Sequence, residues 1–172
     1  TSSACGVCGS ASIDQVTQRV RHDFVPTFAM HPSTLLRAQR ELGDGQAAFS
    51  KTGGVHAAAL LTPEGDRLVL REDVGRHNAV DKGIGWALLE DRLPLNDAVL
   101  LVSSRASFEI VQKAAMAGIG LIACVSAPSS LAIDTAQRLG ITLCGFVRSE
   151  GDDGRFNVYC GVERIDLSGS ES

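Results

Sequence analysis

The sequence predicts an α/β fold, a three-layer α/β/α sandwich with a mixed, mostly parallel sheet. Two observations lead to this prediction. From about residue 56, short β-like runs alternate with helical patterns, which is the order typical of layered α/β folds. The runs over 98–104 and 121–127 are apolar almost throughout, and strands of that kind lie between parallel neighbours, with both faces covered.

A hairpin is the first predicted part of the sheet. Two β-like runs, over 56–62 and 67–73, flank residues 63–66, whose Pro, Gly and Asp favour a tight turn. A helix follows over 77–91, where apolar residues recur at every fourth position. These elements form one edge of the predicted sheet and the first helix that covers it.

The later elements alternate regularly between strand and helix. Serines suited to N-capping precede the last helix, and Gly140 suits its C-terminal cap. Glu109 lies in the first turn of the helix before it. In order, we predict a strand over 98–104, a helix over 107–118, a strand over 121–127, a helix over 129–140, and strands over 142–148 and 157–160.

The first fifty residues contain helical patterns and no β-like run. One pattern covers 13–21, where Ser12 and Gln15 have the spacing of a capping box, and another covers 33–42. These helices either pack on the sheet or form an arm. We therefore divide the chain into a cysteine-pair loop and helical arm over 1–50, an α/β cofactor-binding domain over 51–165 and a disordered tail over 166–172.

Composition excludes several classes of protein. With 172 residues, of which 44% are hydrophobic, the chain has enough apolar material for one core. Its net charge is −4 and its basic residues are spread along the chain, so we expect no binding to nucleic acid or anionic membrane. No apolar run approaches the roughly eighteen residues of a membrane span, and no leader pattern opens the sequence. We expect a cytoplasmic protein.

Five cysteines are present, and Cys5 and Cys8 form the motif CGVC. The spacing argues against a zinc finger, because eight residues separate His22 from His31 where three to five are needed. A thioredoxin-like site needs a preceding strand, which is not predicted here. An inert pair stays open, but an accessible reactive thiol is the better account. We expect the other three cysteines to be buried apolar residues: Cys124, Cys144 and Cys160.

Zinc deaminase chemistry is also excluded, because those enzymes carry H-x-E and P-C-x-x-C motifs. Here His56 is followed by Ala57 and Ala58, and no cysteine follows Pro128. We expect no metal site.

Arginines and small hydroxyl residues follow several predicted strands. Ligands of open α/β sheets bind beyond the carboxyl ends of strands, where helix N-termini present free amides to anions. Polar loops are common, but arginines after three strands favour a phosphate-bearing ligand. The candidates are Arg76, His77, Ser104, Arg105, Ser126 and Arg148. A glycine pair in the loop 51–57 adds a weaker signal.

Seven segments resemble the formate dehydrogenase accessory sulfurtransferases, the FdhD family, in that family's order. REDVGRHNAVDK is long and irregular, so it is the most specific of them. The segments are CGVCG (5–9), KTGGVHAA (51–58), REDVGRHNAVDK (71–82), SSRASFEIVQKAA (103–115), SAPSSLA (126–132), GITLCGFVR (140–148) and NVYC (157–160).

This resemblance implies a fold similar to cytidine deaminases and a function in sulfur transfer. It implies that the protein accepts persulfide sulfur from a cysteine desulfurase and passes it to the molybdenum bis(molybdopterin guanine dinucleotide) cofactor, as formate dehydrogenase activity requires. The persulfide residue would be Cys5, with Cys8 as its partner. GDP would be a surrogate ligand, and a homodimer would suit a two-armed cofactor. The cofactor-binding stretch would be Phe146, Val147, Arg148, Ser149, Glu150 and Gly151.

Two other functions fit the same residues. A non-enzymatic cofactor chaperone would keep the nucleotide site and use CGVC only structurally. A nucleotide-dependent redox protein would use CGVC as a dithiol.

Overall fold

The computed structural model describes residues 9–20, 24–45, 53–150 and 153–168. Five α-helices, one short 3-10 helix (Val162–Arg164) and six strands lie in these ranges. The helices are α1 (Gly9–Arg19), α2 (Pro32–Asp44), α3 (Arg76–Leu89), α4 (Phe108–Ala117) and α5 (Ser130–Leu139). The strands are β1 (His56–Leu61), β2 (Arg67–Asp73), β3 (Val99–Val102), β4 (Leu121–Cys124), β5 (Thr142–Glu150) and β6 (Asp153–Cys160). None of the described helices is both long and apolar enough to span a bilayer.

The strands form one mixed sheet in the order β2-β1-β3-β4-β5-β6, which confirms the predicted α/β class. Parallel pairing is confined to β3-β4 and β4-β5. The hairpins β1-β2 and β5-β6 are antiparallel, and so is the pairing of β1 with β3. The parallel part is thus smaller than the apolar runs predict, because β1 is also covered on both faces although its neighbours are antiparallel. Apolar runs indicate burial, not strand direction.

Helices cover both faces of the sheet. Leu60, Leu100 and Ile122 face a core that they share with α3, α4 and α5. The alternate residues of the same strands, among them Leu101 and Ala123, face a second core that they share with α2. The molecule is therefore a three-layer α/β/α sandwich, with three helices on one face and α2 on the other.

The helix ends follow the predicted caps in part. Ser129 is the N-cap of α5, where its hydroxyl accepts from the amide of Ala132 at 3.2 Å, and Gly140 ends that helix at φ 71°. The capping box is wrong, because α1 begins at Gly9 and Ser12 lies inside the helix. The apolar spacing behind that prediction identifies the buried face of a helix but does not locate its first residue.

The N-terminal helices pack in different places. Ile13 and Val16 of α1 contact Phe108 at the start of α4, and Asp14 of α1 pairs with Arg138 of α5 at 3.0 Å. The apolar side of α2 lies directly on the sheet. Of the predicted tail, residues 166–168 are described and end in a turn at Ser168, and 169–172 lie outside the described residues.

Arg164 connects parts of the chain that are distant in sequence. Its side chain is only 2% exposed. One guanidinium nitrogen donates to the carbonyl of Gly140 at 2.9 Å and lies 3.2 Å from the Thr142 hydroxyl, and the other donates to the carbonyl of Phe24 at 2.5 Å. The N-terminal segment, the end of α5 and the start of β5 are thereby held together. These hydrogen bonds offset the free-energy cost of burying the charge of Arg164.

We expect Arg164→Ala to lower the free energy of unfolding by about 3 kcal/mol, because each buried acceptor left unpaired costs about 1–3 kcal/mol. Arg138→Ala, which removes an exposed ion pair, should cost less than about 1 kcal/mol. Denaturant unfolding monitored by circular dichroism measures both. Equal losses in the two variants would show that the Arg164 contacts contribute no more than a surface pair.

Candidate functional site

The carboxyl ends of three strands meet at one edge of the sheet. The register pairs His56 with Asp73 and Val102 with Cys124, so β1 begins at the edge where β2, β3 and β4 end. The parallel strand β5 passes the same edge. Helices α3, α4 and α5 follow β2, β3 and β4, and therefore begin there too. Their free amides favour an anion at this edge.

A cleft of about 350 Å³ lies at the starts of α4 and α5, and we call it the arginine cleft. Arg76 is the first residue of α3, and Arg105 comes from the loop after β3. Neither arginine belongs to an ion pair among the described residues, and the buried Nε of Arg76 has no hydrogen-bond partner there. The cleft can therefore attract an anion. Its lining is Arg76, Arg105, Ala106, Ser107, Phe108, Glu109, Ala127, Pro128, Ser129 and Leu131.

The turn that presents Arg76 is held by Asp73. The Asp73 carboxylate accepts from the amide of Gly75 at 2.9 Å and from the side chain of Asn78 at 3.1 Å, and Lys82 lies 2.6 Å away. The hydrogen bond and charge of Lys82, with the other two donors, lower the pKa of Asp73 to about 2. Asp73 is thus ionised at neutral pH and fixes the start of α3.

His77, Ser107 and Glu109 make contact at the rim of the arginine cleft. His77 Nε2 lies 3.1 Å from the Ser107 hydroxyl and 3.7 Å from a Glu109 oxygen. Burial opposes ionisation of Glu109, but hydrogen bonds from Ser107 and from its own amide, with the nearby His77 and Arg76, lower its pKa overall. The rim therefore carries an ionised carboxylate beside two arginines.

A second depression, of about 530 Å³, lies on the β5-β6 hairpin, and we call it the hairpin groove. It is lined by Phe146, Arg148, Arg155, Phe156 and Asn157. The register places Arg148 directly opposite Arg155, and like charges in that position repel each other. An anion between them would relieve this repulsion.

Phe146 gives the hairpin groove an exposed aromatic ring. Its side chain is 38% exposed, and its backbone adopts φ 53°, a conformation that is strained for a bulky residue. The amide of Phe146 donates to the carbonyl of Ser126 at 3.2 Å, which holds the strained peptide in place. The pleat of β5 is irregular here, so the ring faces solvent.

The three predicted arginines do not share one cavity, since Arg148 lines the hairpin groove. Other predicted residues are occupied by the fold itself. Ser104 is buried and donates to the carbonyl of Arg105 at 3.1 Å, and Val147 is buried in the core beside α2. The amide and hydroxyl of Ser149 both bind the Gln39 side chain at 2.9 Å.

Several predicted residues cannot be placed. Cys5, Cys8 and Gly151 lie outside the described residues. Glu150 ends β5 opposite Asp153, and its side chain is not described. The sulfur-carrying role of the cysteine pair therefore stays a prediction.

A third depression, of about 480 Å³, opens on the α2 side of the same edge. Its polar and backbone lining includes Gly53, Gly54, His56 and Ser103. Gly53 has φ 63°, which favours glycine. The glycine pair of the sequence thus borders a depression, on the opposite face of the sheet from the arginine cleft.

The remaining cysteines are structural. Burial raises the pKa of Cys124 to about 11 and that of Cys144 to about 12, and it also raises the pKa of Cys160. Cys124 and Cys144 are buried, as predicted, and Cys160 is half-buried. These thiols are protonated at neutral pH and poor nucleophiles. Within the described ranges, no group of three or more His, Cys, Asp or Glu residues could hold a metal ion.

Three residues that line these depressions were not predicted as site residues: Arg155, Ser107 and Glu109. Arg155 was missed because β6 was predicted to begin at residue 157. The strand begins at Asp153, and its register pairs Arg155 with Arg148. The sequence pattern placed Ser107 and Glu109 only at the start of a helix. That helix is α4, and its start borders the arginine cleft.

Residues 1–166 of the chain match the family described as FdhD/NarQ. The sulfur carrier protein FdhD of Streptomyces avermitilis is 53% identical over 169 residues, a match that covers 97% of this chain and 58% of that protein. The sulfur carrier protein FdhD of Mycobacterium tuberculosis is 51% identical over 168 residues, with 96% and 59% covered. This chain thus spans less than two thirds of the length of these curated relatives.

A solved structure has the same fold. The crystal structure of a candidate formate dehydrogenase accessory protein from Desulfotalea psychrophila matches with a TM-score of 0.73 and 31% sequence identity. The match covers 86% of this chain and 61% of that one.

We expect Asp73→Asn to lower the melting temperature above about pH 4 and to have a progressively smaller effect as the pH falls to about 2. The folded pKa of Asp73 is depressed from 3.8 to about 2, so its stabilisation is complete above the unfolded pKa and is lost as pH falls through the folded one. Thermal unfolding at a series of pH values checks this. Asp134→Asn, which alters an exposed aspartate of α5, is the control. A difference between Asp73→Asn and the parent that is as large at pH 2 as above pH 4 would contradict the prediction.

Proposed function

The chain belongs to the FdhD/NarQ family, and on that basis we propose that it is a sulfur carrier that serves a formate dehydrogenase in the cytoplasm. In this proposal it accepts sulfur from a cysteine desulfurase and passes that sulfur to the molybdenum bis(molybdopterin guanine dinucleotide) cofactor. The cofactor is the acceptor of the sulfur and is released to the dehydrogenase.

Sulfur acceptance is assigned to the pair Cys5 and Cys8. The thiolate of Cys5 attacks the outer sulfur of the donor persulfide, so the donor S–S bond breaks and its electron pair leaves with the donor as a thiolate. A new persulfide forms on Cys5, with no net oxidation or reduction. Cys124 and Cys144 are buried and protonated. This supports the assignment, because a cysteine reacts only when it is exposed and ionised to its thiolate.

Cofactor binding is assigned to the strand-end edge. The observation that carries this assignment is that Arg76 and Arg105 border a cleft at two helix starts while neither belongs to an ion pair in the described residues. Phosphate groups match both the guanidinium donors and the helix amides. The hairpin groove, with Arg148 and Arg155, offers a further anion site for a ligand that has two nucleotide arms.

The two tasks use different parts of the chain. Sulfur capture needs only an accessible thiolate, and cofactor recognition needs a preformed cleft. They should therefore fail independently. A homodimer, in which two copies hold the two arms of one cofactor, stays a prediction.

We expect Cys5→Ala to abolish persulfide formation while GDP binding and the melting temperature stay unchanged. Incubation with a cysteine desulfurase and cysteine, followed by intact-mass and peptide analysis, should show one added sulfur on the parent and none on this variant. Cys160→Ala, which alters a half-buried thiol, should keep the added sulfur. A chaperone with a structural CGVC would gain no sulfur in the parent either, and a large fall in melting temperature for Cys5→Ala would point the same way.

We expect charge reversal at the edge to remove nucleotide binding and leave sulfur acceptance intact. Arg76→Glu or Arg105→Glu should abolish GDP binding, and Arg148→Ala should weaken it about tenfold to a hundredfold, since a charge-assisted hydrogen bond contributes about 1.5–3 kcal/mol. All three should still become persulfidated and fail to activate formate dehydrogenase.

Arg67→Glu is the matched control, because Arg67 is exposed and begins β2 at the opposite edge of the sheet. Titration calorimetry with GDP, at low and high salt, measures the binding of each variant. Normal GDP binding by folded Arg105→Glu would show that the nucleotide site lies elsewhere.

A further inference from the structure

The far ends of α3 and α4 carry an exposed apolar surface, which we call the leucine patch. It consists of Leu88, Leu89, Leu93 and Met116, of which Leu88 is 62% and Leu89 84% exposed. These are four of the nine large apolar side chains that are exposed among the described residues, so exposed apolar area is concentrated here. Isolated exposed apolar residues are ordinary, whereas a cluster of them indicates a contact surface.

The patch forms because α3 and α4 run side by side. Lys113 of α4 pairs with Asp81 of α3 at 2.6 Å. Met116 lies one turn beyond Lys113, and Leu88 lies two turns beyond Asp81, so both continue the line of contact between the helices. Next to them, Gly85 has nothing within 4 Å of the position that a Cβ would take. The line of contact between the two helices is therefore an open groove with apolar sides.

Hydrogen bonds fix the backbone around the leucine patch. The amide of Arg92 donates to the carbonyl of Ala87 at 2.8 Å, which closes the end of α3 in the manner of a Schellman cap. The loop that contains Leu93 is held on the end of α4, where the amide of Leu95 donates to the carbonyl of Ala117 at 2.8 Å. The exposed leucines thus belong to a preformed surface, and little entropy is lost when a partner binds it.

Two carboxylates border the leucine patch. Glu90 and Asp91 directly follow α3, are exposed and belong to no ion pair among the described residues. The guanidinium of the next residue, Arg92, lies 5.4 Å from the ring centre of Trp86, so it stacks on the ring. The negative charge beside the groove is therefore available to a basic partner.

We propose that the leucine patch docks a basic amphipathic helix of the formate dehydrogenase apoprotein. This inference rests on the proposed function, in which a dehydrogenase receives the cofactor. An amphipathic helix can lay its apolar residues in a groove of this kind. Basic residues that flank those apolar residues match Glu90 and Asp91, and such complementarity speeds and orients the encounter.

The charges disfavour two other occupants of the patch. In a twofold contact between two copies of this chain, the same patch meets itself, so Glu90 and Asp91 of both copies would come close and repel. An anionic membrane would be repelled for the same reason, since its surface potential is negative.

The position of the patch suits the protein that receives the cofactor. Arg76 at the start of α3 lines the arginine cleft, and the patch lies at the other end of this helix, about 20 Å away at 1.5 Å per residue. A protein docked on the patch leaves the cleft open. The recipient must be bound while the cleft is still loaded, whereas a sulfur donor has only to reach the cysteine pair.

The experiment is biolayer interferometry of the full chain with cofactor-free formate dehydrogenase, at low and high salt. Leu88→Ser/Leu89→Ser should weaken binding about tenfold to a hundredfold, because the apolar contact is lost. Glu90→Gln/Asp91→Asn should weaken it about threefold to tenfold at low salt and less at high salt, since salt screens exposed charges. In both variants GDP binding and persulfide formation should equal those of the parent, and the melting temperature should stay close to the parent value.

Leu167→Ser is the matched control, because Leu167 is 55% exposed and follows Ile165, which packs in the core beside α2. It should bind the dehydrogenase as the parent does. Parent-like binding by folded Leu88→Ser/Leu89→Ser would overturn the docking surface. A change in the sedimentation of this variant, or a loss of cysteine desulfurase binding, with dehydrogenase binding intact, would assign the patch to another occupant and overturn the proposal as well. A parent that does not bind the dehydrogenase would also overturn it, while normal GDP binding and persulfide formation by that parent would leave the sulfur carrier and its cleft standing.

Discussion

Hydrogen bonds beyond the ends of the strands hold the loops of the strand-end edge in register. Ser103 donates its amide to the carbonyl of Ala57 at 3.0 Å, and its hydroxyl accepts from the Ala57 amide at 2.8 Å. Val125 donates to Val102 at 3.0 Å, and Phe146 donates to Ser126 at 3.2 Å. Each of these bonds continues the hydrogen-bond pattern between two neighbouring strands into the loop that follows them. The site residues follow these bonds closely in sequence, so the positions of the arginine cleft and the hairpin groove depend on this register.

Charge is distributed unevenly over a chain whose net charge is −4. Several acidic residues away from the clefts are neutralised by basic partners, as in the pairs of Asp81 with Lys113 and Asp14 with Arg138. The arginines of the edge have no such partners among the described residues. Together with the N-termini of three helices beside them, they create a local positive field, although the net charge of the whole chain is negative. Two carboxylates also lie at this edge, those of Asp73 and Glu109, and the charge of Asp73 holds the turn before Arg76.

Much of the fold could be predicted from sequence because its strands and helices have distinct periodicities. Strand direction could not, since β1 is as apolar as β4 although it pairs with antiparallel neighbours. Arg76, Arg105 and Arg148 were predicted because arginine after a strand is conspicuous. Their separation into two depressions was not, because Arg148 lies on the β5-β6 hairpin, whose register the sequence pattern does not reveal. Glu109 was missed as a site residue because a glutamate in a first helical turn already has a structural explanation.

The central claim is that the nucleotide part of the ligand binds where α4 and α5 begin. Hydrogen–deuterium exchange of the full chain with and without GDP tests it most directly, because bound phosphate protects helix amides that are otherwise free to exchange. The account predicts slower exchange in peptides that cover 103–109 and 125–131, and no change in the loops at the opposite edge, 61–67 and 118–120. Protection confined to the opposite edge, or to the outer surface of α3, would contradict it.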